Sequence, residues 1–173
     1  SMAWVDSGGL LKVGPQSAGA DPGPACYDAG GTEPTVTDAH VVLGRLDPVF
    51  FIGEEMQLSR ELAHSAVEEK IARKMGIPVL EAAQGIIDVV NANMVRILRV
   101  VSIARGFDPR TFALVAFGGA GPLHAAELAQ ELGIERVIVP LKPGLFSAQG
   151  LLQADLQTNL RRTRPVRVEP QNL

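Results

Sequence analysis

Aromatic residues are scarce: one Trp, one Tyr and six Phe amount to 5% of 173 residues. Val, Ile, Leu and Ala must therefore fill the core. A single cysteine excludes an intramolecular disulfide and fits a reducing compartment, so a cytoplasmic location is expected. Positive charge is not in excess either. Sixteen Lys plus Arg against nineteen Asp plus Glu leave a net charge of −3, which argues against a nucleic-acid partner. The first residues lack a basic region followed by an apolar run, so no signal peptide is expected. Nor is any apolar span of membrane length uninterrupted. Residues 86–104 come nearest, but Asp88, Arg96 and Arg99 break them. Each such charge costs roughly 2.5–3.5 kcal/mol at mid-bilayer, so the segment reads as a buried helix of a soluble protein. What is present, 46% hydrophobic and 20% charged residues, is globular composition, long enough for one domain.

Residues 1–50 are rich in loops. Residues 2–5 and 10–13 flank Asp6-Ser7-Gly8-Gly9 and predict a hairpin. The run from Gly14 to Tyr27 holds three prolines and three glycines, which forbid regular structure. It is small and apolar rather than charged, so a packed loop with a fixed path is expected. Thr35-Val36-Thr37-Asp38 offers caps for a short helix through Leu43, closed by Gly44. Residues 59–105 are the helical part. Ser59 caps a helix with Ala63, Val67, Ile71 and Met75 four apart, Gly76 ends it, and Pro78 opens the longest element, residues 79–104. At about 100° per residue, Glu81, Gln84, Asp88, Asn91, Arg96, Arg99 and Ser102 share one polar stripe of that helix, and Asn93 projects from the buried side.

The pattern changes over residues 110–156. Residues 112–117 form an apolar run of strand length, suited to a sheet covered on both faces. A glycine turn, a helix from Pro122 to about Leu132, a short strand over 136–139 and a last helix over 147–156 follow. Strand, turn, helix and strand make a parallel βαβ unit. Residues 157–173, with Arg161, Arg162, Arg164 and Arg167, read as a polar tail or an unpaired strand. No internal repeat or low-complexity tract occurs. The chain opens inside a hairpin and stops in an arginine-rich segment, and is expected to be a piece of a longer polypeptide whose cut edges favour self-association.

Candidate chemistry centres on Gly118-Gly119-Ala120-Gly121-Pro122-Leu123-His124. Glycines after a buried strand let backbone amides approach a ligand, and the helix start beyond favours anionic or polar groups. Neither a Walker loop nor a dinucleotide fingerprint fits. A tight turn that needs small residues for packing is the other reading. His124 either meets a ligand or the loop, or bonds a neighbouring carbonyl. Asn93, an amide on an apolar side, is a helix-packing bond or a ligand contact. Cys26 reads as a structural thiol, and Asp21 and Asp38 as turn or cap residues. His40, His64 and Cys26 lack zinc spacing, so no metal site is expected.

The chain resembles the hydantoinase A/oxoprolinase family, in the later part of its large subunit. The resemblance rests on residues 17–27, on Thr35-Val36-Thr37-Asp38-Ala39 with Leu43-Gly44-Arg45-Leu46, on Asn91-Ala92-Asn93-Met94, on residues 116–125 and on Gly150-Leu151-Leu152-Gln153-Ala154-Asp155. It implies part of an actin-like, sugar-kinase- or Hsp70-like ATPase fold, α/β in class, using ATP and Mg2+. It implies phosphorylation of a cyclic amide carbonyl for ring-opening hydrolysis, with a second hydantoinase B-type subunit or domain. Ketone carboxylation on the same fold is the alternative, and a non-catalytic module is the third reading. By resemblance, Gly118, Gly119, Ala120 and Gly121 form the adenosine-side loop, with His124 and Asn93 in the same lobe. The phosphate-binding segments and magnesium-binding aspartates of such subunits lie earlier than this chain. The isolated chain is therefore expected to be inactive, its catalytic residues unassigned.

Overall fold

The computed structural model describes residues 1–51 and 56–163 and begins with the expected hairpin. Strands β1 (Ala3–Val5) and β2 (Leu11–Val13) pair antiparallel, with Ala3 opposite Val13. Asp6 holds the turn, its Oδ1 accepting from the amides of Gly8 (2.9 Å) and Leu10 (3.0 Å). The Pro/Gly run then stays irregular up to a 3-10 turn at Ala25–Tyr27. Its packing is uneven. Residues 15–17 and 19–22 are exposed and only 23–26 are buried, so the packing expected of the whole run holds at its end alone. There the backbone makes a close approach, and a methyl group on Gly31 would run into the carbonyl of Gly23.

Helix α1 (Val36–Val42) starts in a capping box. Thr35 Oγ1 accepts from the Asp38 amide (3.3 Å), and Asp38 Oδ2 accepts from the Thr35 amide (2.8 Å). Fully buried, the Asp38 carboxylate also accepts from the amides of Cys26 (2.8 Å) and Ala25 (3.3 Å) and from the Thr35 hydroxyl (2.7 Å). One side chain thus caps α1 and fastens the loop to it.

Helix α2 (Arg60–Val67) begins at Ser59, whose side chain accepts from the Leu62 amide. It runs through a π-helical stretch (Glu68–Ala72) into a last turn, α3 (Arg73–Met75). The sequence spacing accounts for the wide turn. Apolar residues four apart drift by roughly 40° per step on an α-helix, and one π turn removes the drift. Ala63, Val67 and Ile71 accordingly all point inward and are fully buried.

Helix α4 (Val79–Val101) is the spine, packing on α1, β2 and the βαβ unit. Its first half supplies Ala82, Ala83, Ile86 and Ile87 to a core shared with Ala3, Val36, Ala39, Val67 and Ile71. That core is aliphatic and small, as the lack of aromatics requires. The second half departs from expectation. Ile97 and Val100 are 59% and 58% exposed, because nothing among the described residues covers that side. The expectation of a buried helix is thus corrected for its second half. The helix also gives way to a 3-10 turn (Ile103–Arg105).

The βαβ unit forms from β3 (Ala113–Val115), α5 (Gly121–Leu132) and β4 (Arg136–Ile138), with the strands parallel and Ala113 opposite Arg136. Leu128 and Leu132 of α5 pack on Val95 of α4. The sheet has two strands and is not covered on both faces: Phe112, Val115, Phe117 and Ile138 are all exposed. Helix α6 (Phe146–Gln153) stops three residues short of the expected Leu156. Residues 157–163 carry no regular structure and are exposed, while Arg164, Arg167 and the rest of the expected tail lie outside the described residues. The described residues are thus α/β with small sheets. Among them no helix is long and apolar enough to cross a membrane.

Asp38→Ala removes an acceptor from four buried donors and is expected to cost about 3–5 kcal/mol, against about 1–2 kcal/mol for Thr35→Ala. Urea unfolding of the two variants checks the order, and near-equal losses would contradict the double role of Asp38.

Candidate functional site

Strand β3 ends at the glycine turn. Gly118 sits at φ +83, a left-handed conformation that favours glycine, and its amide donates to Pro143 O at 2.8 Å. A methyl group added at Gly119 would meet nothing within 4 Å, nor would one at Gly118. Packing therefore does not explain Gly119. The turn is open to its surroundings, as a surface approached by a ligand must be. Helix α5 begins immediately after it, with Pro122 in the first turn and no side-chain cap on Ala120.

His124 does not reach the turn. It points inward, 4% exposed, and its Nε2 lies 3.2 Å from Nε2 of His40 on α1, itself 1% exposed. Its Nδ1 lies 2.7 Å from Asn91 Oδ1 on α4. Asn91 Nδ2 in turn donates to Glu127 Oε2, one turn along α5. Glu127 Oε1 pairs with Arg45 Nη2 at 2.7 Å, and Arg45 donates to Gln84 Oε1 at 3.1 Å. Gln84 donates to Asp88 Oδ1 at 2.7 Å. Seven polar side chains from α1, its following segment, α4 and α5 are joined in one chain.

The proton positions follow from this order. A carboxylate only accepts, so the Asn91 NH2 group faces Glu127 and its carbonyl faces His124. His124 Nδ1 therefore carries the proton, and its Nε2 is a bare lone pair. His40 must then donate through Nε2–H, which leaves His40 Nδ1 without a proton; among the described residues it has no partner. Both rings are neutral in this arrangement. Burial first, then His124 and Arg45, hold the His40 pKa down to about 4, with Glu127 opposing. Burial lowers that of His124 as well, Glu127 opposing and Arg45 adding.

No local sequence pattern spells out this network. The wheel puts Asn91 on the polar stripe, yet it is the buried asparagine of α4; Asn93, expected on the buried side, is half-buried, and among the described residues no hydrogen bond joins it to the glycine turn. About 200° of helix separates the two. One signal was available: His124 and Glu127 are three apart and share a face of α5. His40 lies 84 residues from His124, a separation no local pattern spans. His64 is exposed on α2 beside Glu68. Cys26 is fully buried, and burial followed by the Asp38 charge pushes its thiol far up, which makes it the inert cysteine expected. A groove of about 820 Å³ between α4 and α5 exposes the Asn91, Glu127 and Asp88 end of the network.

Residues 1–160 match the family described as hydantoinase/oxoprolinase, and the chain belongs to that family. Over 169 residues it is 46% identical to the caprolactamase subunit alpha of Pseudomonas jessenii, covering 98% of this chain and 24% of that protein. It is 48% identical over 151 residues to the acetophenone carboxylase gamma subunit of Aromatoleum aromaticum, covering 87% and 20%. The fold is similar to a nucleotide-free acetone carboxylase structure, with a TM-score of 0.84 at 35% identity over 90% of this chain and 22% of that one. The chain spans between about an eighth and a quarter of the length of the curated relatives it matches.

The buried imidazoles give stability a defined pH slope. Between about 6.5 and about 4 the unfolded chain binds a proton that folded His40 refuses. Stability is therefore full above about pH 6.5 and falls as the pH is lowered through that window, by on the order of 3 kcal/mol from His40. Urea midpoints measured across the window check this, and a flat profile that His40→Gln leaves unchanged would contradict it.

Proposed function

We propose that the chain is part of an ATP-using subunit that activates a cyclic amide carbonyl by phosphorylation, so that the ring opens to water. The observation that carries this reading is the 46% identity, across 98% of the chain, to a caprolactamase subunit. The proposed placement is one lobe of an actin-like ATPase fold, with Gly118, Gly119, Ala120 and Gly121 as the nucleotide-side turn. Openness at Gly119 and an uncapped α5 start beside it support that placement. His124 and Asn93, proposed from sequence for the same site, take different parts: His124 anchors α5 from below, and Asn93 belongs to the lobe with no hydrogen bond to the turn among the described residues.

The residues present fit one side of a nucleotide and do not fit Mg2+. Among the described residues no group of three or more His, Cys, Asp or Glu is placed to hold a metal ion, so the metal is assigned to the remainder of the longer protein. Bound ATP would supply the phosphoryl group that, on the amide oxygen, makes the carbonyl carbon electrophilic enough for water to add and the ring C–N bond to break, with ADP and inorganic phosphate released. The part of this chain is to bind and orient through backbone amides. A hydantoinase B-type subunit or domain is the proposed partner, supported by the naming of the relatives as subunits. The exposed apolar side of β3 and β4 supports association with such a partner or with another copy. The cytoplasm, where ATP is supplied, is the proposed location.

A ketone carboxylase is the second reading, favoured by the TM-score of 0.84 to acetone carboxylase. A purely structural module is the weaker third, because Gly119 has no neighbour to pack against.

Gly119→Val in the complete subunit is expected to weaken ATP binding by at least about tenfold, the size of one or two lost hydrogen bonds. Calorimetry reads this, and unchanged affinity would remove the turn from the nucleotide site. Substrate-dependent bicarbonate fixation by the complete complex, in place of ATP-dependent ring opening, would favour the carboxylase.

A further inference from the structure

Helix α5 starts with little to hold it. Its N-cap residue Ala120 makes no side-chain cap bond, a methyl group on Gly118 or Gly119 would meet nothing within 4 Å, and among the described residues one backbone bond, from the Gly118 amide to Pro143, ties the turn to another segment. Against this stands His124, in the first turn of α5, with both ring nitrogens engaged in the interior. Each member of the chain behind it has a single option. Glu127 accepts, Asn91 must turn its carbonyl to His124, His124 must donate through Nδ1, and His40 must donate through Nε2. The order is therefore directional, running from His40 to the Glu127 carboxylate and its Arg45 partner.

We propose that His40 is a positioning residue for the glycine turn: by donating to the bare Nε2 of His124, whose Nδ1–H form Asn91 and Glu127 fix, it holds the ring from its second nitrogen, which locks the first turn of α5 to Asn91 and sets how residues 118–121 are presented. His40 itself meets no ligand. The device works only with both imidazoles neutral. A proton on His124 Nε2 would remove the acceptor, and a proton on His40 Nδ1 would place a cation where no described acceptor waits. The charged or titratable groups facing the pair are His124 and Glu127 from α5 and Arg45 from the segment after α1, with Asn91 and Gln84 as the polar groups of α4. Helix α2 presents Ala63 and Val67 to α1. The consequence for ligand binding rests on the nucleotide reading above, but the relay does not.

Two measurements test this. With three histidines in the chain, nitrogen NMR of 15N-histidine can read each ring. His124 is expected as neutral Nδ1–H and His40 as neutral Nε2–H near pH 7, and an Nε2–H form at His124 would overturn the relay. In the complete subunit, His40→Leu is expected to raise the KM for ATP by about tenfold, the size of one lost hydrogen bond, with kcat within about twofold. His40→Gln, whose amide nitrogen overlays the donating position, is expected to restore the KM. If His40→Leu does not fold, the His40→Gln KM and the wild-type spectrum decide: a tenfold rise in His40→Gln would overturn the positioning role. An unchanged KM in a folded His40→Leu would overturn it equally. Loss of the nucleotide reading is separate, since it would show as unchanged ATP affinity in Gly119→Val with the ring spectra intact.

Discussion

A contact between two neutral imidazoles, Nε2 to Nε2 at 3.2 Å, holds α1 against α5 in the interior of the molecule. Much else follows from its neutrality. Two adjacent cations would repel in a low-dielectric setting, so the pair can exist only where burial and Arg45 keep protons off. Once neutral, the rings can act as a donor and an acceptor in series. Their order is then dictated by the far end, where a carboxylate paired with a guanidinium fixes which way the Asn91 amide faces. The hydrophobic core keeps the pair dry, and the polar chain in turn fixes the rotation of α5 about its axis.

Helix α1 is the shortest route through this arrangement. Asp38 on one side gathers four donors and binds the Pro/Gly loop, while His40 binds α5. Two buried polar residues, two positions apart, thus connect an irregular segment to the βαβ unit. Burying such groups costs free energy unless they are fully bonded, and the bonding is what gives the loop and the helix one mutual orientation. His40 Nδ1, the one buried side-chain nitrogen or oxygen among the described residues without a hydrogen-bond partner, lies at the end of the chain of bonds, where a missing partner costs least in order.

The proposed function rests on a turn rather than on a cluster of reactive side chains. Residues 118–121 offer amides and open space, which suits binding and orientation, and the described residues do not gather the carboxylates that a metal-assisted phosphoryl transfer needs. The chain spans at most about a quarter of the length of its relatives.

Local structure was legible in the sequence because its causes are local. The hairpin turn at Asp6, the capping box at Thr35 and Asp38, the four-residue spacing in α2 and α3, and the glycine turn before α5 each depend on residues within a few positions. The family motifs were legible for the same reason. What the tertiary structure decided was which side of α4 meets α5. A wheel puts Asn91 among the polar positions and Asn93 on the apolar side, and the opposite choice was made by Glu127 and His124 approaching from a helix about thirty residues away. Only the folded chain could bring His40 to His124, because hydrogen bonds act over about 3 Å and sequence separation carries no record of them.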